Sequence, residues 1–394
     1  MHTPASSPPP RASMLNDPKV RGLVFQVLAI ATVIAIGWYL FDNTQTNLAQ
    51  RGITSGFDFL DRSAGFGILQ ALIPYTESDT YGRVFLVGLL NTLLVAVLGI
   101  VLATMIGFIV GIARLSPNWL ISRLAAIYIE IFRNIPPLLQ IFFWYFAVLR
   151  AMPPPRDSHA VGDAIFLNIR GLYLPSPSAA DGFWAFVTAL ALAILACVVL
   201  ARWAKARREA TGQAFPLPAA CIALLVVVPA AAIGLAGTPL HWSVPALTGF
   251  NFRGGWVVIP ELVALSVALS IYTAAFIAEI VRSGIQAVSH GQTEAARSLG
   301  LRPGPTLRLV ILPQAMRVII PPLTSQYLNL VKNSSLAAAI GYPDLVSVFA
   351  GTALNQTGQA IETIAITMSV YLAISLAISI LMNIYNKRIA LVER

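Results

Sequence analysis

Apolar residues in this chain come in long runs, separated by polar connections rich in Gly and Pro. Eight runs approach or exceed the roughly 20 residues that a helix needs to cross a bilayer. They are 23–40, 84–113, 121–149, 183–203, 217–236, 257–281, 318–340 and 361–385. The strict two-residue alternation of a membrane β-barrel is absent. The pattern predicts an all-α fold: a polytopic membrane helical bundle of about eight spans. The first stretch, "MHTPASSPPPRAS", has no apolar core and predicts a disordered tail over 1–20 with no removable signal peptide.

Composition agrees. The chain is 57% hydrophobic and 11% charged, against about 25% charged in ordinary soluble proteins. No large soluble domain fits between the runs. A net charge of +9 could suggest a nucleic-acid partner, but the basic residues sit at the ends of apolar runs. One set of connections holds Arg11, Lys19, Arg21, Arg114, Arg123, Arg202, Lys205, Arg207, Arg208, Arg282, Arg297, Arg302, Arg308, Arg317, Lys387, Arg388 and Arg394. The alternate set holds Arg51, Arg62, Arg83, Arg150, Arg156, Arg170 and Arg253. That asymmetry predicts both termini in the cytoplasm and an even number of spans. The 45–82 stretch then reads as an outer loop, and "AMPPPRDSHAVGD" and "LYLPSPSAADG" as Pro-rich connectors. Cys197 and Cys221 both fall inside apolar runs, so no disulfide is expected.

A basic, turn-broken segment, "EAARSLGLRPGPTLRLVILP", lies between two apolar runs. Ser289 with Gln292 three residues on has capping-box spacing. Gly300 fits the left-handed position just past a helix end, and Pro305 can open the next helix. The expected shape is a short helix, a sharp turn and a helix entering the membrane. Ala295 and Ala296 form a small-residue patch among the charges of Glu294, Arg297 and Arg302. Such a helix could rest on lipid headgroups or dock against another surface. "GFIVG" (Gly107 to Gly111) has the small-xxx-small spacing that lets helices approach closely. No internal repeat is visible, so any two-fold architecture must come from a partner chain.

Charges inside hydrocarbon are costly and usually face a bundle interior or a water path. Glu130 lies nine residues past the start of its run, roughly 14 Å along a helix, near the middle of a roughly 30 Å core. Arg133 is its neighbour on one helix face, Asn134 follows, and Pro136-Pro137 should kink the helix. Glu130, Arg133 and Asn134 are therefore candidates for a substrate path. Arg133 could meet a carboxylate and Glu130 an ammonium group, or the two could simply pair. Lys332, Asn333, Ser334 and Ser335 are a second candidate set. There the competing reading is a snorkelling lysine with serines bonding helix to helix. Glu279 and Arg282 read as an interfacial pair, and Glu261 as a boundary residue.

Several chemistries are missing. No "GK" dipeptide occurs, which excludes a phosphate-binding loop of the GxxxxGK[ST] type. GxSxG, HExxH and paired CxxC motifs are absent too, and His2, His159, His241 and His290 have no metal spacing. No catalytic residue, metal ligand or cofactor is therefore expected in this chain.

Glu294-Ala295-Ala296, Gly300, Val310 and Leu312-Pro313 resemble the cytoplasmic EAA loop of ABC importer permeases, with Val310 where that family usually has Ile. "LLNTLLVAVLGIVLATMIGFIVGIARLS", "YIEIFRNIPPLLQIFFWYF", "YTAAFIAEIVRSGIQAVSHGQTEAARSLG" and "VKNSSLAAAIGYPDL" resemble the polar amino acid uptake permeases, in the right order and over about half the chain. The added first span and the inserted pair are most similar to the Q-type permease subunit of general L-amino acid importers. The resemblance implies a type I ABC importer permease core of five to six helices with an extra N-terminal span and an inserted pair. Its parts would be the tail 1–20, the first span and outer loop 21–83, a first core part 84–149, an insertion 150–256 and a second core part 257–394. The coupling loop 286–317 lies in that last part. Glu294, Ala295, Ala296 and Gly300 would contact the ATPase. The implied partners are a second permease subunit, an ABC ATPase dimer holding ATP and magnesium, a periplasmic binding protein and an amino acid substrate, in a bacterial inner membrane. An ion-coupled transporter acting alone would usually show internal repeats. An intramembrane enzyme would need a catalytic constellation, and no recognised motif for one is present.

Overall fold

The structure, a computed structural model, describes residues 18–50 and 56–389. Most of the tail expected over 1–20 lies outside them. Helix α1, Pro18–Gln50, is exposed along its apolar middle. After a 3-10 turn at Asp58–Asp61, α2 runs over Tyr81–Arg114, its first turn capped by the Thr80 hydroxyl, which accepts from the Arg83 N–H. Asn118 caps α3, Trp119–Asn134, by accepting from the Leu120 and Ile121 N–H groups. Next come α4, Pro137–Phe142, α5, Phe183–Thr211, α6, Leu217–Ala236, and α7, Pro260–Gln286. The short helix α8, His290–Ser298, precedes α9, Pro303–Thr306, and α10, Leu312–Asn333. A wider π turn at Leu307–Ile311 joins α9 to α10, and a 3-10 turn at Ser334–Ile340 extends α10. A π segment at Val346–Ala353 leads into α11, Leu354–Thr357, and α12 covers Ala360–Ile389.

Seven helical runs among the described residues are long and apolar enough to span a membrane. The eighth predicted run, 121–149, is broken rather than kinked. Ile135 and Pro136 are both extended, so α3 ends and α4 starts afresh, continuing as a π helix over Phe143–Leu149. Two adjacent prolines remove two N–H donors, and the residue before each is forced out of the helical region. The carbonyls left over find new donors. Gln140 Nε2 reaches Phe132 O at 3.0 Å and Ile135 O at 2.9 Å, and Asn134 Nδ2 reaches Glu130 O at 2.6 Å. Irregular backbone at membrane depth persists where its polar groups are met in this way.

The core forms where α2 lies along α7 and α10 crosses both. Glycine makes the α2–α7 approach possible. A Cβ on Gly107 would stand 2.6 Å from Ile277 Cβ, and one on Gly111 2.7 Å from the Ala278 carbonyl. Ala103, Ile277, Val281, Ala315, Ile319 and Leu330 fill the space between the three helices. At the end of the bundle opposite α8, the segment 341–357 folds back against α2. Phe59, Tyr81, Leu345 and Phe349 pack there.

The connectors flanking α5 and α6 are not irregular. They form strands β1 to β8: His159–Val161, Ile165–Asn168, Gly171–Leu174, Ser176–Ala179, Leu240–Ser243, Ala246–Thr248, Asn251–Arg253 and Trp256–Val258. One antiparallel sheet has the order β1-β2-β3-β8, while β4-β5 and β6-β7 are two-stranded ribbons. The α5–α6 hairpin is thus mounted on the β4–β5 ribbon. Its two helices pack mainly on each other.

Candidate functional site

Two regions carry the chemistry, one at each end of α10. At its start, α8 projects as an exposed helix. Ser289 makes no side-chain cap, so the expected capping box is not formed. Gln292 instead accepts from Gln314 Nε2 of α10 at 3.3 Å. That long-range bond draws Gln292 away from the cap. Gly300 has φ +76°, and the Leu301 N–H donates to Ala296 O at 3.1 Å, closing the helix with the left-handed turn expected of glycine. The rod beyond the turn opens on Pro303 rather than Pro305.

Of the residues singled out here, Ala296 is buried, while Glu294, Ala295 and Gly300 are exposed. Ala296 thus seats α8 on the chain behind it, and Ala295 faces outward. Glu294 pairs with His290 at 3.1 Å. Leu299, at the tip, is 82% exposed.

Along the rod, α10 meets α7 at a polar groove of ≈ 220 Å³. Its walls are Tyr272, Thr273 and Phe276 from α7, and Gln326, Asn329 and Asn333 from α10. Thr273 is buried, and Asn329 is exposed. The Arg133 guanidinium stands over the Phe276 ring, 5.3 Å from its centre. Its charge also acts on the Glu279 carboxylate of α7.

Glu130 and Arg133 do not pair: no ion pair joins them among the described residues. Arg133 reaches across to α7, and Glu130 is exposed one turn away on α3. Asn134 is engaged at the Glu130 carbonyl. Asn333 lines the groove, whereas the exposed Lys332 does not. Ser334 is buried, bonds Val331 O and also meets the Tyr371 hydroxyl of α12, so it does join two helices, whereas Ser335 bonds Lys332 O of its own helix. Glu279 and Arg282 form a tight pair, with Arg282 Nε on Glu279 Oε2 at 3.0 Å. Glu261 accepts from the Tyr145 hydroxyl at 2.8 Å in the first turn of α7.

Sequence reasoning missed Tyr272, Thr273, Phe276, Gln326 and Asn329. A signal for two of them was present. Gln326, Asn329 and Asn333 recur at i, i+3 and i+7 in "TSQYLNLVKNSS", a polar stripe on one face of an otherwise apolar helix.

Residues 210–391 match the protein family described as "Binding-protein-dependent transport system inner membrane component". The chain is 66% identical over 381 residues to the putative amino-acid ABC transporter permease protein YhdX of Escherichia coli (strain K12), covering 96% of each chain. It is 53% identical over 382 residues to the general L-amino acid transport system permease protein AapQ of Rhizobium johnstonii, covering 97% of this chain and 95% of that one. Among solved structures it is similar to a crystal structure of an amino acid ABC transporter with histidines. That match has 22% identity and a TM-score of 0.46, covering 78% of this chain and 95% of that one.

Proposed function

The chain belongs to the permease subunits of binding-protein-dependent amino-acid ABC transporters, and from that membership we propose that the α7–α10 groove carries the amino acid while α8 receives the force of a separate ATPase. The observation that carries this reading is the linkage of the two regions through one rod. The exposed helix α8 is bonded to α10 by Gln292–Gln314, and α10 presents Gln326, Asn329 and Asn333 to the groove.

Glu294, Ala295, Ala296 and Gly300 form the coupling element. The Gly300 turn and the buried Ala296 fix the angle at which Leu299 meets the ATPase. ATP and magnesium reside in that partner, since this chain has no phosphate-binding loop. Closure of the ATPases would move α8, and with it the rod 303–340. Tilting α10 against α7 then changes the groove between two states of different affinity, which is what pumping requires.

In the groove, side-chain amides can both donate to a carboxylate and accept from an ammonium group. Arg133 contributes the cation for the substrate carboxylate, and Glu130 the anion for its ammonium group. Asn134 supports this pair from the end of α3, and Lys332, Ser334 and Ser335 support the far end of α10. A second permease subunit closes the open side, and a periplasmic binding protein delivers the substrate. By the basic bias, both termini and α8 would lie on the cytoplasmic side of a bacterial inner membrane.

Arg133→Ala tests the groove. In proteoliposomes with the complete partner set, uptake of labelled amino acids is expected to fall at least tenfold while the ATPase still co-purifies. Loss of assembly, or unchanged uptake, would assign Arg133 a packing role over Phe276 instead.

A further inference from the structure

The inserted α5–α6 hairpin takes no part in the rod or the groove. Only Ala193 and Ala204 on α5 and Pro229 on α6 are buried, so the hairpin is lightly packed. One stripe of α5 holds Ile194, Val198, Ala201, Lys205 and Arg208, spaced i, i+4, i+7, i+11 and i+14, which is a single helix face. Ile194 is 51% and Val198 46% exposed. The stripe therefore passes from exposed apolar to basic as α5 leaves the apolar run.

At its basic end, at the turn between α5 and α6, lies a cavity of ≈ 250 Å³ lined by Lys205 and Arg208 of α5, Phe215 of the turn and Leu217 at the start of α6. Both cations are lightly used. Among the described residues, the ion pair of Lys205 is a loose one with Glu209 at 4.0 Å. No ion pair holds Arg208 among the described residues. Arg207, by contrast, is turned to another face, stacked on Trp203 at 5.2 Å and bonded to Gln213.

We propose that this cavity binds the phosphate of an anionic phospholipid, with Lys205 and Arg208 as its ligands and an acyl chain lying along Val198 and Ile194. Charge complementarity and depth both select this occupant. Arg202, Lys205, Arg207 and Arg208 face a single acid, Glu209, over the last turns of α5. A basic pocket between helices at the membrane surface suits an anionic headgroup, and the exposed apolar turns above it continue into hydrocarbon. The lipid would add a headgroup anchor at the basic end of a hairpin whose two spans pack mainly on each other. The site stands independently of the transport reading.

The test uses the full-length chain, delipidated in mild detergent. Phosphatidylglycerol and phosphatidylethanolamine are titrated in separately, and retention is read by native mass spectrometry. Preferential retention of phosphatidylglycerol is expected. Lys205→Gln with Arg208→Gln should weaken it about thirtyfold, and either change alone about fivefold. These side chains are exposed, so the single variants keep the fold and the test stands even if the double variant is lost. Equal retention of the two lipids, or unchanged retention in the single variants, overturns the site. Equally effective displacement by free glycerol phosphate removes the acyl chain from it and overturns the lipid assignment.

Discussion

Asp344 is only 1% exposed, in the segment that folds back against α2. The Ser347 N–H donates to its Oδ1 at 2.8 Å and the Tyr371 hydroxyl lies 3.4 Å from its Oδ2. These bonds favour the charged form, but burial outweighs them and pushes the carboxyl up to about 7, against about 3.9 for an exposed aspartate. Between those values the folded protein keeps a proton that the unfolded chain has lost. The group's stabilising contribution is therefore complete below about pH 4 and disappears as pH rises through about 7. The thermal midpoint in detergent should fall from pH 5 to pH 8, and Asp344→Asn should flatten that slope. An unchanged slope in the variant would show that Asp344 titrates as an exposed group. At this scale the sequence was a partial guide. The Gly107–Gly111 spacing announced a close approach but not its partner, α7. The i,i+3 spacing of Glu130 and Arg133 suggested a pair, yet Phe276, distant in sequence, offered Arg133 a ring face. Contacts within one helix follow from spacing; contacts between helices depend on packing that spacing does not encode.

Among the elements, the break between α3 and α4 rests on Gln140, whose one amide serves two carbonyls. Gln140→Leu leaves both unsatisfied at a cost of about 1–3 kcal/mol each, so the thermal midpoint should drop and α4 should lose protection in amide exchange. No change would mean that water already serves those carbonyls. The turn after α8 makes a different demand. A side chain at Gly300 meets nothing within 4 Å, so Gly300→Val has room. Its φ of +76° nonetheless costs roughly 1–2 kcal/mol for a residue with a Cβ, and the turn should shift. Membrane insertion should be normal and uptake with the ATPase should fall severalfold or more. Normal uptake would remove the turn from the coupling path. Most helices were legible because apolar runs of span length leave few alternatives. The strands were not: Leu172 pairs with Val258, across the whole inserted hairpin, and three or four residues of Pro-rich connector give no periodicity to read. The fold-back over 341–357 was missed for a similar reason, being too short to register as a span.

For the whole molecule, apolar helical runs of span length, an exposed helix α8 and a half-open groove fit the proposal of one part in a larger machine. The chain carries no GxxxxGK[ST] loop, and the described walls of its groove come from α7 and α10. On the reading proposed above, energy and closure come from other chains. The most direct measurement is uptake of labelled amino acids into proteoliposomes, omitting in turn the second permease, the ATPase, the binding protein and ATP. Uptake should require all four together with this chain. Accumulation by this chain alone, driven by an ion gradient, would contradict that.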